Sequence, residues 1–260
     1  MLADVLTSQM FWIFCGVGFF AQLIDGALGM AYGVVCIAVL SALGVPPAAA
    51  SAVVHAAEVF TTATAATSHA AHKNIDRRLL LRLAPAGVAG GVLGAYVLTA
   101  APKYLIGPLL ATYLSVVGVY LLVRAFRKVQ LHNPKAKWAI PLGAAGGFLD
   151  SWGGGWGPIV ASTLMSGGHA PRRVIGTVSA AEFFLTSAIS ATFLVALLRG
   201  ALPLDLETYL VEVAGLVVGG IAAAPFTGLV ARVAPPRHMT IAVGLLVLCL
   251  AAWQIYRVFA

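Results

Sequence analysis

The chain has 260 residues, of which 60% are hydrophobic and 10% charged, too little polar surface to cover a soluble core. Its formal net charge of +7 would suit nucleic acid, but the basic residues sit at the ends of apolar stretches, as in membrane orientation, so no nucleic-acid partner is expected. The three cysteines, Cys15, Cys36 and Cys249, lie in apolar segments without CxxC spacing, which excludes a disulfide frame.

In chain order, the first 72 residues carry no Lys or Arg, so no signal peptide of the usual form is expected. Two short apolar segments come first, residues 11–24 and 33–43, separated by Asp25-Gly26-Ala27-Leu28-Gly29-Met30-Ala31-Tyr32. Three long ones follow at 47–71, 79–100 and 104–126. The order then repeats: a short pair at 138–149 and 158–166, separated by Asp150-Ser151-Trp152-Gly153-Gly154-Gly155-Trp156-Gly157, and long segments at 172–198, 207–231 and 237–256. About 20 apolar residues span the hydrocarbon layer as a helix, whereas about 10–14 favour a re-entrant or broken segment.

The halves are copies. A shift of 124 residues aligns 29–67 with 153–191 without a gap, and 11 of those 39 positions are identical, Gly33/Gly157, Glu58/Glu182 and Thr62/Thr186 among them. The expected fold is an all-α polytopic membrane protein of two inverted repeats, each a re-entrant helical hairpin plus three transmembrane helices. Residues 1–127 form the first repeat, 128–137 a cytoplasmic linker and 138–260 the second, all within one membrane domain. Charge favours inversion. If each short pair returns to its own side, 13 of the 16 basic residues fall on one side, leaving Lys103, Arg199 and Arg257 opposite. Broken spanning helices would give parallel repeats and a weaker bias, 11 to 5. Gly90-x-x-x-Gly94 and Gly215-x-x-x-Gly219 read as close helix packing.

Glu58 and Glu182 stand at equivalent points of long apolar segments, and an ionisable group in a span is costly enough to suggest function. At helical spacing His55, Glu58 and Thr62 share one face, and Ser179, Glu182 and Thr186 share its counterpart, with Thr61 and Thr177 at the edges. No Lys or Arg falls mid-span, so an anion would have to be held by neutral donors. Gly29, Tyr32 and Gly33, with Gly153, Gly154, Gly155, Trp156 and Gly157, form loops opening short helices whose N–H groups can hold an oxyanion. Hydroxyls of Thr62, Thr177, Ser179 and Thr186 would complete the site. Asp25 and Asp150 start the two loops. An ionised Glu would repel an anion, so Glu58 and Glu182 are expected to be protonated when substrate is bound, with His55 as a proton relay or a structural histidine.

These residues resemble the TauE/SafE family of sulfite exporters and organosulfur-anion permeases. The resemblance rests on residues 24–33, on Val54-His55-Ala56-Ala57-Glu58-Val59-Phe60-Thr61-Thr62, on Lys73-Asn74-Ile75-Asp76, and on 147–158 and 175–184, and it covers essentially the whole chain. It implies a multi-pass permease of the bacterial cytoplasmic (inner) membrane, moving sulfite or a related small anion, with no cofactor and no enzymatic step. The lipid bilayer and a small anionic substrate are its partners, and a homo-oligomer stays open. A divalent metal-ion transporter is the competing reading, because His55-x-x-Glu58 and His69-x-x-His72 place N and O ligands on one helix face. Against it, the second copy has Ser179 in place of His55. A permease for other small anions such as carboxylates is a third reading.

Overall fold

The computed structural model describes residues 8–28, 30–126, 138–166 and 171–259, and its regular structure is entirely helical within them. The order is α1 (Gln9–Leu28), α2 (Tyr32–Ala42), α3 (Pro47–Ala71), α4 (Arg77–Ala100), α5 (Lys103–Phe126), α6 (Ala139–Gly153), a π-turn (Gly157–Ala161) running into α7 (Ser162–Ser166), α8 (Pro171–Leu198), α9 (Leu206–Val233) and α10 (Pro236–Phe259). The expected linker 128–137 lies outside the described residues, as does Gly29.

One expectation changes. The first arm of each short pair is longer than its apolar run: α1 is a 20-residue helix, because no proline interrupts Asp25-Gly26-Ala27-Leu28, and α6 likewise continues through Asp150 to Gly153. Asp25 and Asp150 therefore sit in the last turns of helices rather than in loops. Among the described residues of the two tips, the non-helical backbone is Met30 and Ala31 in one and Gly154 and Gly155 in the other.

Six helices are long and apolar enough to cross a membrane: Gln9–Leu28, Arg77–Ala100, Tyr104–Phe126, Arg172–Leu198, Leu206–Thr227 and Pro236–Arg257. The 25-residue α3 is less apolar, since it carries Ser51, His55, Glu58 and several threonines, and the bundle protects it. Every residue from Ala48 to Glu58 is buried. That placement puts the polar face of α3 against protein instead of lipid.

Glycines set how the helices pair. On α9, Gly215 lies against Phe11 and Phe14, and Gly219 against Cys15; Gly26 of α1 meets Thr227 further along, so α1 and α9 run parallel. Gly90 on Ala144, Gly94 on Phe148 and Gly143 on Leu83 pair α4 with α6 in the same sense. In both pairs the backbones touch where a side chain would keep them apart. By contrast α3 and α8 run antiparallel. The His55 ring lies 6.3 Å from that of Phe193, and at the opposite end the Asp76 N–H donates to Thr177 Oγ1 at 2.8 Å. The α5/α10 pair is antiparallel too, with Gly118 beside Gly244 and the Arg237 guanidinium 4.9 Å from the Phe126 ring centre.

Candidate functional site

Each hairpin turns on an aspartate. Asp25 Oδ1 accepts from the Tyr32 N–H at 3.2 Å, and Asp150 Oδ1 accepts from the Trp156 N–H at 2.7 Å. Each carboxylate thus caps the start of the returning arm. Those two N–H groups, expected to face an anion, are satisfied within the chain. Gly154 ends α6 in the left-handed region at φ +70°, its N–H bonded to the Asp150 carbonyl at 2.7 Å.

The two tips meet. A Cβ on Gly33 would strike Gly154 and Glu58 Oε1, a Cβ on Gly154 would strike the Gly33 backbone, and a Cβ on Gly157 would meet Met30. Under the 124-residue shift Met30 corresponds to Gly154 and Gly33 to Gly157, so the contacts exchange with the copies. The other expected loop residues turn elsewhere. Gly153 and Gly155 back onto Tyr113. Trp156 is fully buried, its ring against Gly87 and its Nε1–H donating to the Val178 carbonyl at 3.2 Å. Tyr32 is buried and sends its hydroxyl to the Leu216 carbonyl at 3.5 Å.

Glu58 is 4% exposed and its Oε2 has no hydrogen-bond partner. Beside the tips, Thr62 Oγ1 lies 3.4 Å from Thr186 Oγ1, which joins the two polar faces. Most of the hydroxyl hydrogens are already committed. Thr62 donates to the Glu58 carbonyl at 2.5 Å, Thr61 to the same oxygen at 3.2 Å, and Thr186 to the Glu182 carbonyl at 2.9 Å. Thr177 is not with them: it donates to the Arg173 carbonyl and receives the Asp76 N–H where α3 and α4 join.

His55 crosses between repeats. Its Nδ1 is 2.8 Å from the Ser51 carbonyl, an acceptor only, so Nδ1 carries a hydrogen. Its Nε2 then faces Asp150 Oδ2 at 3.2 Å, and a proton must lie between these two atoms. Ser51 adds a second tie, donating to the Ser151 carbonyl at 2.6 Å. The ligand atoms of His55, Glu58 and Asp150 lie within 4.8 Å of one another, a set that by type could take a metal ion. An ion there would have to displace the proton shared by His55 and Asp150. Ser179 replaces the histidine in the other copy, so the set has no counterpart there among the described residues.

A cavity of about 220 Å³ opens between the tips and the central helices. Asp25, Tyr32 and Gly33 line it from one hairpin, Gly154 and Gly157 from the other, and Glu58, Thr62, Ser179 and Glu182 from α3 and α8. Among the described residues, no Lys or Arg lines it. Sequence reasoning missed Gln22, on the α1 side of this wall, and took His69 only as part of a metal pair. Gln22 had a signal, as a polar residue one turn before Asp25 in an apolar run. Glu212, buried in α9 with Oε2 unpartnered, was also missed and lies away from the cavity lining.

Comparison with known proteins points to a membrane transporter. A family model described as sulfite exporter TauE/SafE matches residues 14–254. A relative in Bacillus subtilis (strain 168), named probable membrane transporter protein YtnM, is 38% identical over 240 residues, covering 89% of this chain and 78% of its own. No solved structure matches.

Proposed function

The chain belongs to the sulfite exporter TauE/SafE family of membrane transporters, and from that membership we propose that it exports sulfite, or a related small sulfur-containing anion, across the cytoplasmic membrane in a proton-linked cycle. The observation carrying this reading is the mid-bundle cavity where the hairpin tips meet between Glu58 and Glu182. Inverted-repeat carriers build their substrate sites this way, from interrupted helices at the repeat interface.

The proposal includes inversion of the two halves. Supporting it, α3 and α8 are equivalent in sequence yet antiparallel, and so are α5 and α10. Trp253 and Arg257 near the end of α10 reach the Ala42 carbonyl at the end of α2, at 3.3 and 3.5 Å. With α1 parallel to α9, both arms of the first hairpin then open at one end of the bundle, and the second hairpin opens at the other. Arg77, Arg78, Arg82, Arg124, Arg172, Arg173, Arg232 and Arg237 gather at the second end, which the positive-inside rule assigns to the cytoplasm.

Three carboxyls, those of Asp25, Glu58 and Glu182, share a cavity that no Lys or Arg among the described residues lines and that His69 borders with one imidazole. An anion enters such a space only if the carboxyls facing it are neutral. Protonation of Glu58, Glu182 and the Asp25 oxygen not held by the Tyr32 N–H removes the repulsion, and the unpartnered Glu58 Oε2 becomes an O–H donor toward the anion. The proton held between His55 and Asp150 lies beside Glu58 and makes that pair the relay. Proteoliposomes with sulfite inside and a proton gradient of either sign test the reading. Efflux that follows the sign of the gradient supports it, and efflux indifferent to the gradient removes proton linkage.

A further inference from the structure

An anion in the cavity needs hydrogens that are not already spent, and few side chains have them. The hydroxyl hydrogens of Thr61 and Thr62 go to the Glu58 carbonyl, that of Thr186 to the Glu182 carbonyl and that of Tyr32 to the Leu216 carbonyl. The Tyr32 N–H belongs to Asp25. The carboxyls can donate only while protonated, so their help comes and goes with the coupling cycle.

Ser179 and His69 also border the cavity, and Gln22 differs from all of these in carrying a buried amide with an unpartnered end. It projects from α1 into the cavity wall, and its Oε1 is buried without a hydrogen-bond partner. A half-turn of the amide exchanges its oxygen and nitrogen, and since Oε1 holds no partner the exchange breaks no bond there. Either end of the amide can therefore meet the ligand, and the N–H2 end offers two donors whatever the pH. The second copy has no equivalent: the corresponding positions are Gly146 or Gly147, depending on whether the shift is 124 or 125 residues. The amide is thus contributed by one repeat alone, near Thr61 and Tyr32.

We propose that Gln22 is the specificity-determining residue of the cavity, its amide N–H groups holding an oxygen of the transported oxyanion. The inference rests on the reading of the cavity as the anion site. Loss of one hydrogen bond to a charged ligand weakens binding by roughly tenfold to a hundredfold.

The test is titration calorimetry on the detergent-purified full chain with sulfite and with ethanesulfonate, whose charge is constant across the pH range used. Gln22→Leu should bind ethanesulfonate about tenfold or more weakly than wild type at every pH. Gln22→Glu has nearly the same shape and should bind poorly at about pH 8 but recover toward wild type at about pH 5, because burial beside Asp25, Glu58 and Glu182 favours the neutral form of the added carboxyl and lets it regain a proton to donate. Asp25, Glu58 and Glu182, with His69 and Tyr32, face the same cavity in both proteins. The ratio of variant to wild type at each pH isolates the added group. A packing role for Gln22 would not give that acid recovery, and the recovery is read within one folded variant should Gln22→Leu fail to fold. Wild-type affinity in both variants at both pH values would overturn the proposal while leaving the cavity reading intact. A wild-type protein that binds neither anion overturns the cavity reading, and this proposal with it.

Discussion

At the second hairpin, Asp150 holds the Trp156 amide with one oxygen and His55 with the other, and Ser51 adds a bond to the Ser151 carbonyl. At the first, Asp25 holds the Tyr32 amide, and the helix facing it presents Ser179 where α3 presents His55. The two tips share a plan, with an aspartate capping a returning helix and glycines at the crossing. They differ in whether an imidazole fills the space behind. The ring binds the second hairpin to the opposite repeat, while Ser179 and Asp25 both border the cavity with no such bond between them. Duplication thus supplies the frame, and one unlike pair, His55 and Ser179, separates a half tied across the repeats by an imidazole from a half that lacks that tie.

The largest way to break this comparison is at the crossing itself. Gly154→Val would force a β-branched residue to φ +70° and drive its Cβ into the Gly33 backbone. The conformational part costs about 1–2 kcal/mol, and the overlap adds about 1–3 more. Anion binding should vanish, as read by loss of ligand-induced thermal stabilisation. Gly200→Ala is the control. Its φ is +71°, but nothing lies within 4 Å, so it should cost about 1–2 kcal/mol and leave binding alone. Unchanged anion affinity in Gly154→Val would place the site elsewhere.

Next come the carboxyls that the comparison makes unequal. Glu58 is buried beside His55 and Asp150, whereas Glu182 is less buried and has no imidazole at the matching position. Glu→Gln at either site keeps shape and neutrality, so anion binding should persist. Transport should lose its response to a proton gradient, more completely in Glu58→Gln. If both variants follow the gradient as wild type does, the carboxyls are structural.

Much of this was legible in the sequence, and what was not has a common cause. The 124-residue repeat, the long helices, the tip glycines and the two glutamates all announce themselves through spacing, because a helix face is a property of one segment. Gly90, Gly94, Gly215 and Gly219 read as packing and do pack, against α6 and α1. Partners across segments were not legible. Spacing cannot say that Thr62 and Thr186 spend their hydrogens on carbonyls one turn back, that Thr177 is drawn to Asp76, or that His55 reaches a residue 95 positions away. Nor could apolar length foresee that α1 and α6 run on through their aspartates. A charged residue ends a hydropathy run without ending a helix when its carboxylate has an N–H to hold.

The anchored tip can be loosened and the open one filled. His55→Ser makes the first repeat resemble the second. It leaves Asp150 Oδ2 without its partner and a void where the ring was, and should cost about 2–4 kcal/mol in unfolding experiments. Ser179→His makes the reverse change, placing a ring at the cavity wall, and should weaken anion binding more than it alters stability. Equal losses of stability in the two variants would mean that the imidazole is not what separates the halves.

The smallest expected effect lies at the helices that follow α3 and α8, where the copies are alike. Asp76 caps α4 by accepting from the Arg78 and Leu79 N–H groups at 2.9 and 3.1 Å, and Asp205 caps α9 by accepting from the Thr208 N–H at 2.9 Å and its hydroxyl at 2.8 Å. Asp76 is also tied across repeats, through its N–H to Thr177, so Asp76→Ala should cost about 1 kcal/mol or slightly more. Asp205 is fully exposed, and its removal should be felt less. The bonds from Thr208, the backbone one foremost, hold the Asp205 carboxyl below its ordinary range. A carboxyl depressed in the folded state stabilises above its unfolded value of about 3.9, and that contribution fades as the pH falls through the folded value. Asp205→Ala should therefore lower the unfolding temperature slightly at neutral pH and converge with wild type in strong acid. A difference that stays constant from neutral to acid would show that the ionised carboxylate is not what caps α9.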